Sequence, residues 1–237
     1  MERCFDMHAH LLPGVDDGAV DMDMALGMLA MYQRQGVTDI MVTPHSYAFF
    51  EEAELAREQF RLLCEAAKAH FPEIRLYLGA EVLFTLWDLE ENMDALRTGV
   101  LPSLGGTTYV LTEFFPDERR TAILQTIRRL TEEGWIPVIA HAERIRPALT
   151  DMSFVRELTD MGALVQINAY SLEKESDLTI RMTARQLLAE GLVDFVGSDA
   201  HRTYHRPPDV ADGLRYIREH CSHAQDILSG HALRAFG

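Results

Sequence analysis

Cysteine and long hydrophobic runs are both scarce in this sequence of 237 residues. The three cysteines, Cys4, Cys64 and Cys221, lie far apart and form no CxxC pair, which excludes a disulfide framework and a zinc knuckle and is typical of a reducing compartment. No apolar stretch approaches the roughly 20 residues of a membrane span, and the start, MERCFDMHAH, lacks the hydrophobic segment of a signal peptide. We therefore expect a cytoplasmic protein without membrane insertion.

Positive charge is also scarce. The chain has 22 Lys and Arg against 37 Asp and Glu, which gives a formal net charge of −15. This charge disfavours a nucleic-acid partner, because a phosphate backbone requires cationic side chains. An anionic substrate would be repelled at long range, so a phosphate site would need metal ions or arginines close by. Since 47% of the residues are apolar and no linker interrupts the chain, we expect residues 1–237 to form a single domain.

Helical stretches that end in glycine alternate with short apolar runs. The pattern occurs as RQGVTDIMVTPH, EEGWIPVIAH, DMGALVQIN and AEGLVDFVGSDAH. Glycine commonly caps a helix, and a continuous apolar run is typical of a strand buried on both faces. With further strands predicted at 3–7, 74–82 and 109–114, the chain is predicted to have seven parallel strands in an α/β fold. Helices are predicted at about 21–35, 52–69, 118–133, 153–161, 176–190 and 208–220.

Almost every predicted strand ends in a side chain that can bind a metal. Only the sixth strand ends in a residue that does not ionise, Asn168. Side chains from six strands can converge if the strands encircle a common centre, so we predict a (β/α)7 barrel similar to a TIM barrel. An open sheet would instead place them near one switch point. With one aspartate from GVDDG, the candidate metal ligands are His8, His10, Asp17, His45, Glu81, Glu113, His141, Asp199 and His201.

Nine imidazole and carboxylate ligands are too many for one ion and indicate two or three divalent ions. Clustered divalent ions hydrolyse phosphoesters well, because they lower the pKa of a water molecule and neutralise developing charge. Asp16 is a weaker candidate than its neighbour Asp17. Arg144 in HAER and Arg206 in HRTYHRPP are expected at the same rim, where a planar guanidinium can bind phosphate through two hydrogen bonds.

The motifs DMHAHLLPGVDDGA, TPH, GAEV, LTEF, IAHAER and GSDAH…RPP follow one another from residue 6 to about residue 208. As a set they resemble the PHP (polymerase and histidinol phosphatase) superfamily. HxH followed by GVDDG is similar to the bacterial PHP-type tyrosine-protein phosphatases of capsule and exopolysaccharide operons, the CpsB/CapC type. The resemblance implies a distorted seven-stranded barrel and a trinuclear site, with manganese expected and iron, zinc, cobalt or magnesium as alternatives. It implies as substrate the phosphotyrosine tail of an autophosphorylating kinase that controls polysaccharide chain length.

The resemblance also implies a role for each site residue. Arg144, Arg206 and Asp199 are the candidate catalytic residues, and both arginines match family positions that contact the phosphate. The segment HSYAFFEEAEL after His45 departs from the family pattern, which leaves the role of residues 46–55 and the peptide specificity open. The metal ligands divide into three implied groups: His8, His10, Glu81 and Asp199; Glu81, shared, with Glu113 and His141; and Asp17, His45 and His201.

A cysteine nucleophile is excluded by the sequence itself. Phosphatases of that kind need an arginine six positions after the cysteine, and those positions hold His10, His70 and Ile227. A phosphatase must therefore use a metal-activated hydroxide. Tyrosinate, with a pKa near ~10, leaves readily, so a dedicated general acid is less needed. Two alternatives stay open: another PHP phosphoesterase acting on histidinol phosphate or another small phosphomonoester, and a non-catalytic metal-binding scaffold. The oligomeric state is also open.

Overall fold

The structure is a computed structural model in which residues 3–236 are described. Over this range the strands all pair in parallel and form two sheets, one with the order β1-β2-β3 and one with the order β4-β5-β6-β7-β8. The strands are β1 Phe5–Ala9, β2 Asp39–Val42, β3 Arg75–Leu78, β4 Glu81–Leu83, β5 Tyr109–Glu113, β6 Ile136–Ile139, β7 Leu164–Asn168 and β8 Phe195–Gly197. The predicted α/β class with parallel strands is thus confirmed.

Helices alternate with these strands, as the glycine pattern predicts. They are α1 Met22–Arg34, α2 Tyr47–His70, α3 Leu89–Thr98, α4 Arg120–Glu132, α5 Arg146–Thr150, α6 Met152–Asp160, α7 Leu178–Ala189, α8 Ala211–His220 and α9 His231–Phe236. The four glycines of the repeated pattern, Gly36, Gly134, Gly162 and Gly191, all have left-handed φ angles just after a helix. Each therefore ends its helix in a conformation that only glycine adopts without strain.

The predicted strand over 74–82 is two strands in the structure. The chain breaks at Gly79 and Ala80 between β3 and β4, which gives eight strands within residues 3–236 instead of seven. A Cβ atom at Gly79 would lie 2.6 Å from Leu104 Cδ2 and 3.3 Å from Leu104 Cα, so a larger residue there would require Leu104 to move. The break also brings Glu81 to the start of β4, whereas the sequence placed it near the end of a single strand.

Two further elements differ from the sequence prediction. Helix α2 begins at Tyr47 and contains one non-helical residue, Glu52, so most of segment 46–55 is helical where the sequence predicts a helix only from about residue 52. Helix α3 lies in the segment 85–108, which the sequence left irregular. Both helices begin close to the C-terminal ends of β2 and β4 and therefore border the site described below.

The two sheets approach each other at both junctions. Isolated bridges join Ala9 to Ala200 and His45 to Glu81. The amide of His10 also donates to the carbonyl of Ala200 (2.8 Å). These contacts join residues at or just beyond the C-terminal ends of β1, β2 and β8 and the start of β4. Over the described range the strand pairing gives two sheets that are joined by these bridges.

The other end of the strands is closed by apolar packing. The ring of Phe236 in α9 lies 5.9 Å from Phe5, 5.4 Å from Tyr109 and 6.3 Å from Phe195, measured between ring centroids. Those three residues are the first of β1, β5 and β8. The aromatic cluster therefore covers the N-terminal ends of the strands, and the polar side chains are left at the C-terminal ends.

Gly213 offers a test of the packing of α8. A Cβ atom there would lie 2.3 Å from the carbonyl oxygen of Ala169, in the turn that follows β7. Alanine normally stabilises a helix relative to glycine, but we expect Gly213→Ala to lower the free energy of unfolding by about 1–3 kcal/mol through overpacking. Urea unfolding followed by circular dichroism measures this. Gly27→Ala in α1, which would contact only a methyl of Thr203 at 3.1 Å, is the control; equal stability of the two variants would contradict the packing.

Candidate metal centre

The innermost part of the site is formed by three fully buried side chains. Nε2 of His8 lies 3.1 Å from Nε2 of His10. The two carboxylate oxygens of Glu81 lie 3.2 Å from His8 Nε2 and 3.3 Å from His10 Nε2. Three ligand atoms so close together define a point where a cation would be surrounded by nitrogen and oxygen donors, which suits a first-row divalent metal.

Glu81 also connects this point to a second group of ligands. Its Oε1 accepts a hydrogen bond from His141 Nε2 at 3.0 Å, and its Oε2 lies 3.1 Å from His45 Nδ1. Glu113 lies slightly farther out, with its oxygens 3.8 Å from His45 Nδ1 and 3.9 Å from His141 Nε2. The buried Glu81 carboxylate is therefore shared by four imidazoles.

Asp17 and Asp199 bring the third group together. Oδ1 of Asp17 lies 3.4 Å from His45 Nε2 and 3.3 Å from His201 Nε2. Oδ1 of Asp199 lies 3.7 Å from Nε2 of both His8 and His10 and 3.8 Å from His201 Nδ1. The structure thus brings all nine predicted ligands into one cluster.

Ligand atoms within 4.8 Å of one another form three groups, each of which could hold one ion. The donor set, imidazole nitrogen with carboxylate oxygen, fits first-row divalent metals. The groups resemble the predicted division, but His10 and His45 each belong to two of them, His45 stands where His141 was expected, and Asp199 belongs to none of the three. They are His8, His10 and Glu81; His45, Glu81 and Glu113; and His10, Asp17, His45 and His201.

The carboxylates of the cluster differ in how readily they hold a proton. Burial disfavours the charge of Glu81, yet the charge of His8 and the hydrogen bonds of His10, His141 and other imidazoles hold its pKa well below the usual range. Burial, together with the charge of Glu81, raises the pKa of Glu113. Glu81 is therefore the permanently charged centre of the site.

Both predicted arginines lie at the rim of the cluster and pair with Asp199. Arg144 Nη1 donates to Asp199 Oδ2 at 3.0 Å, and Arg206 Nη2 donates to the same oxygen. Arg206 Nη1 also donates to His201 Nε2 at 2.9 Å. Burial and the charges of His10 and Arg206 lower the pKa of His201 to about 3, so this imidazole is neutral, the form that binds a metal.

A cavity of about 160 Å³ opens beside the cluster. It is lined by both arginines and by the ligands of the second group together with Asp199. The residues around it are His45, Glu81, Glu113, Phe114, Pro116, His141, Arg144, Ile145, Asp199 and Arg206.

Backbone strain is concentrated in the same place. Among the described residues other than glycine, positive φ angles occur at His141 (33°), Asp199 (57°) and Arg206 (52°), and all three belong to the site. Such conformations cost of order 1–3 kcal/mol each and persist where the surrounding structure holds them. His141 and Asp199 turn the chain two residues after β6 and β8, and Arg206 lies farther along the loop that follows β8.

Asp16 proves more important than the sequence suggested. Its carboxylate accepts hydrogen bonds from His10 Nδ1 at 2.8 Å, from Gly18 N at 2.9 Å and from His45 N at 3.1 Å. Burial opposes its charge, but the contact with His10 and these amides lower its pKa to about 2. By holding Nδ1 of His10, Asp16 directs Nε2 of the ring toward the cluster. The aspartate pair in GVDDG was the only sequence signal for this role.

Two amides of β7 also contact the site. Asn168 Nδ2 donates to Asp199 Oδ2 at 2.9 Å. Gln166 Oε1 accepts from the backbone N–H of His141 at 2.8 Å. Sequence reasoning recorded Asn168 only as the exception among the strand ends and did not identify Gln166, because a neutral amide inside an apolar run gives no signal of metal chemistry.

The sequence is similar to that of a family of known proteins along most of its length. The family described as "Capsular polysaccharide synthesis, CpsB/CapC" matches residues 4–230. The chain is 34% identical over 210 residues to "Tyrosine-protein phosphatase CpsB" of Streptococcus pneumoniae, covering 86% of this chain and 85% of that one. It is 32% identical over 224 residues to "Tyrosine-protein phosphatase YwqE" of Bacillus subtilis, covering 90% and 83%.

Solved structures agree. A chain from the crystal structures of YwqE from Bacillus subtilis and CpsB from Streptococcus pneumoniae, described as "unique metal-dependent tyrosine phosphatases", superposes with a TM-score of 0.84 at 28% identity and covers 98% of this chain and 94% of that one. A probable 2-pyrone-4,6-dicarboxylic acid hydrolase from Acinetobacter baumannii (TM-score 0.59, 16% identity, all of both chains) shares the fold alone. The chain therefore belongs to the CpsB/CapC family of capsular polysaccharide synthesis proteins.

Proposed function

We propose that this protein is a metal-dependent protein-tyrosine phosphatase. The observation that carries the proposal is the convergence of nine imidazole and carboxylate side chains and two arginines on one cavity. Relatives that match along most of the chain are named tyrosine-protein phosphatases, which supports phosphotyrosine over a small phosphomonoester. The bridges between the two sheets support a distorted barrel, and residues 1–237 are proposed to form one domain.

We assign the cluster two or three divalent ions, with manganese expected and iron, zinc, cobalt or magnesium compatible with the same donors. When bound, such ions supply the Lewis acidity that makes water nucleophilic at neutral pH and neutralises the phosphoryl group. The proposed ligands are His8, His10, Glu81 and Asp199 for one ion, Glu81, Glu113 and His141 for a second, and Asp17, His45 and His201 for a third. Close donor atoms support the core of each group: His8, His10 and Glu81 for the first, Glu81 and Glu113 for the second, and Asp17, His45 and His201 for the third. Asp199 Oδ1 lies 3.7 Å from His8 Nε2, and His141 Nε2 lies 3.0 Å from Glu81 Oε1.

The residues of the chain have separate tasks in the reaction. Arg144 and Arg206 orient the phosphoryl group at the cavity rim through guanidinium N–H groups. Asp199 holds both guanidiniums through Oδ2. The leaving phenolate, with a pKa near ~10, departs without a strong acid beside it.

The proposed physiological substrate is the phosphotyrosine-bearing tail of an autophosphorylating kinase that regulates capsular or exopolysaccharide synthesis, acting in the cytoplasm. The support is the description of the family as one of capsular polysaccharide synthesis. Over the described residues, no helix is both long and apolar enough to cross a membrane.

A larger cleft of about 620 Å³ continues from the metal centre, since His45 and Glu113 line both spaces. Its walls carry three aromatic side chains that are each between two-fifths and one-half exposed, Tyr47, Phe50 and Phe115. An exposed aromatic patch beside a site is typical of a binding surface. We propose that this cleft holds the peptide next to the phosphotyrosine, which gives the first turns of α2 a function.

The charge of the cleft sets a preference among peptides. Asp88 and Glu91 of the α3 region line it, and its described lining contains no Lys or Arg. Acidic residues beside the phosphotyrosine would be repelled here, and basic ones attracted. The cleft therefore favours a substrate with basic or apolar flanking residues.

The first prediction concerns substrate and metal together. Purified protein with Mn²⁺ is expected to release phosphate from a phosphotyrosine peptide far faster than from histidinol phosphate, and a chelator is expected to abolish the release. Initial rates with phosphate detection measure this. A preference for histidinol phosphate would show that the proposed substrate is wrong. If the protein binds metal but hydrolyses neither compound, the result would favour a non-catalytic scaffold.

A second prediction concerns Glu81. Because four imidazoles share its carboxylate, Glu81→Gln is expected to lower the bound metal measured by elemental analysis and to reduce kcat/KM on the peptide by at least about 100-fold. Glu132→Gln, an exposed carboxylate of α4, makes the same charge change away from the site and is the control. Full metal content in the Glu81 variant would contradict its role as shared ligand.

The third prediction concerns the cleft. A phosphotyrosine peptide with flanking lysines is expected to have a kcat/KM about three- to tenfold above that of the same peptide with flanking glutamates. The double variant D88N/E91Q is expected to lose this preference and to keep its rate on p-nitrophenyl phosphate. E132Q/E219Q carries the same net charge at distant exposed positions and should keep the preference. Equal rates of the wild-type protein on both peptides would refute the cleft while leaving the phosphatase activity intact.

A further inference from the structure

The sixth predicted strand, β7, differs from its neighbours because it presents amides where they present ionisable groups. Gln166 and Asn168 are both fully buried and lie two residues apart, so their side chains share one face of the strand. Gln166 Nε2 donates to Asn168 Oδ1 at 2.9 Å. The two amides therefore form one connected unit beneath the metal centre.

The direction of every hydrogen bond in this unit is determined at both ends. A charged carboxylate can only accept, so Asn168 must present Nδ2 to Asp199 Oδ2. Its Oδ1 is then left to accept from Gln166 Nε2. Gln166 must in turn present Oε1 at its far end, where the backbone N–H of His141, which can only donate, binds at 2.8 Å. Both ends require the same orientation, and no other arrangement satisfies all four groups.

The same Gln166 oxygen faces His8. Nδ1 of His8 lies 3.4 Å from Oε1, and because that oxygen can only accept, Nδ1 must carry the proton. In the neutral imidazole that binds a metal, Nε2 of His8 then carries the lone pair, and it is this atom that lies 3.2 Å from Glu81 and 3.1 Å from Nε2 of His10. His10 is set in the same way by Asp16, which holds its Nδ1.

We propose that Gln166 and Asn168 are positioning residues that fix the tautomer of His8 and hold His141 and Asp199 in place, so that metal affinity depends on them. The proposal rests on the proposed function in one respect, namely that the cluster binds metal. Through this amide pair the orientation of the Asp199 carboxylate is transmitted to His8, from one side of the site to the other.

The neutrality of the pair is part of its role. A carboxylate at residue 166 would accept at both oxygens and leave Asn168 Oδ1 without a donor, and it would add a charge beside Asp199 and Glu81. An imidazole there could reverse its donor and acceptor atoms. An amide has one donor end and one acceptor end and does not titrate. The direction of the hydrogen bonds through the pair is therefore the same at any pH.

The test uses the wild-type protein first. In protein loaded with zinc, which is diamagnetic, ¹⁵N NMR of the histidine rings is expected to show His8 ligated through Nε2 and protonated at Nδ1. Ligation of His8 through Nδ1 would overturn the proposal without any variant. Failure of the wild-type protein to bind zinc or manganese at all would overturn the proposed function and this inference with it.

Variants then test the dependence of affinity on the amides. Gln166→Met keeps the length of the side chain but removes both the acceptor and the donor, and Gln166→Glu keeps the shape but removes only the donor. Both are expected to weaken Mn²⁺ binding by about 10- to 100-fold in a competition titration against a fluorescent chelator. Gln166→Met is also expected to show a mixture of His8 tautomers in the metal-free protein at alkaline pH.

The control is Gln186→Glu, on an exposed side chain of α7 that contacts only the neighbouring Glu190. It should leave metal affinity and the ring spectra unchanged. A purely structural role would lower the stability of the Gln166 variants but leave the affinity and the tautomer of His8 as in the wild type, and that result would overturn the proposal. Asn168→Leu gives the same comparison should a Gln166 variant not fold.

Discussion

The buried carboxylate of Glu81 is the feature on which the site depends. Four imidazoles lie within 3.3 Å of its two oxygens, and its side chain is almost completely removed from solvent. A buried carboxylate is costly unless it is compensated by charges or hydrogen bonds. The strand break at Gly79 and Ala80 allows this arrangement, because it lets Glu81 start β4 and pair with His45 by a backbone bridge between the two sheets. The fold and the centre are thus joined at one residue.

Backbone strain and apolar packing are found at opposite ends of the strands. The cluster at the N-terminal ends of the strands is built mainly from apolar side chains, whereas the left-handed residues His141, Asp199 and Arg206 all lie beyond the C-terminal ends of strands. Tight turns after strands are needed there to bring side chains from different strands to one point. The aromatic packing around Phe236 and the glycine-capped helices therefore stabilise a framework that tolerates the strained turns.

Much of this could be predicted from the sequence. Ionisable residues at the ends of apolar runs are a strong signal, and the nine predicted ligands do lie together with Arg144 and Arg206. The break at Gly79 could not be predicted, because it depends on the approach of Leu104 from a distant segment. Asp16 and Gln166 were missed or underrated for a related reason: their roles depend on which atom of a histidine they contact, and spacing along the chain contains no information about that.

The charges around the cavity show why metal ions matter for binding as well as for chemistry. Both guanidiniums are paired with Asp199, so their positive charge is partly neutralised inside the site. The four carboxylates among the nine proposed ligands, Asp17, Glu81, Glu113 and Asp199, outnumber Arg144 and Arg206, and the whole chain carries −15. The net charge of the chain would repel a phosphate dianion at long range. Two divalent ions would reverse the sign of the local charge, and a third would strengthen it. On the proposed assignment, the arginines orient the phosphoryl group and the ions supply the charge that attracts it.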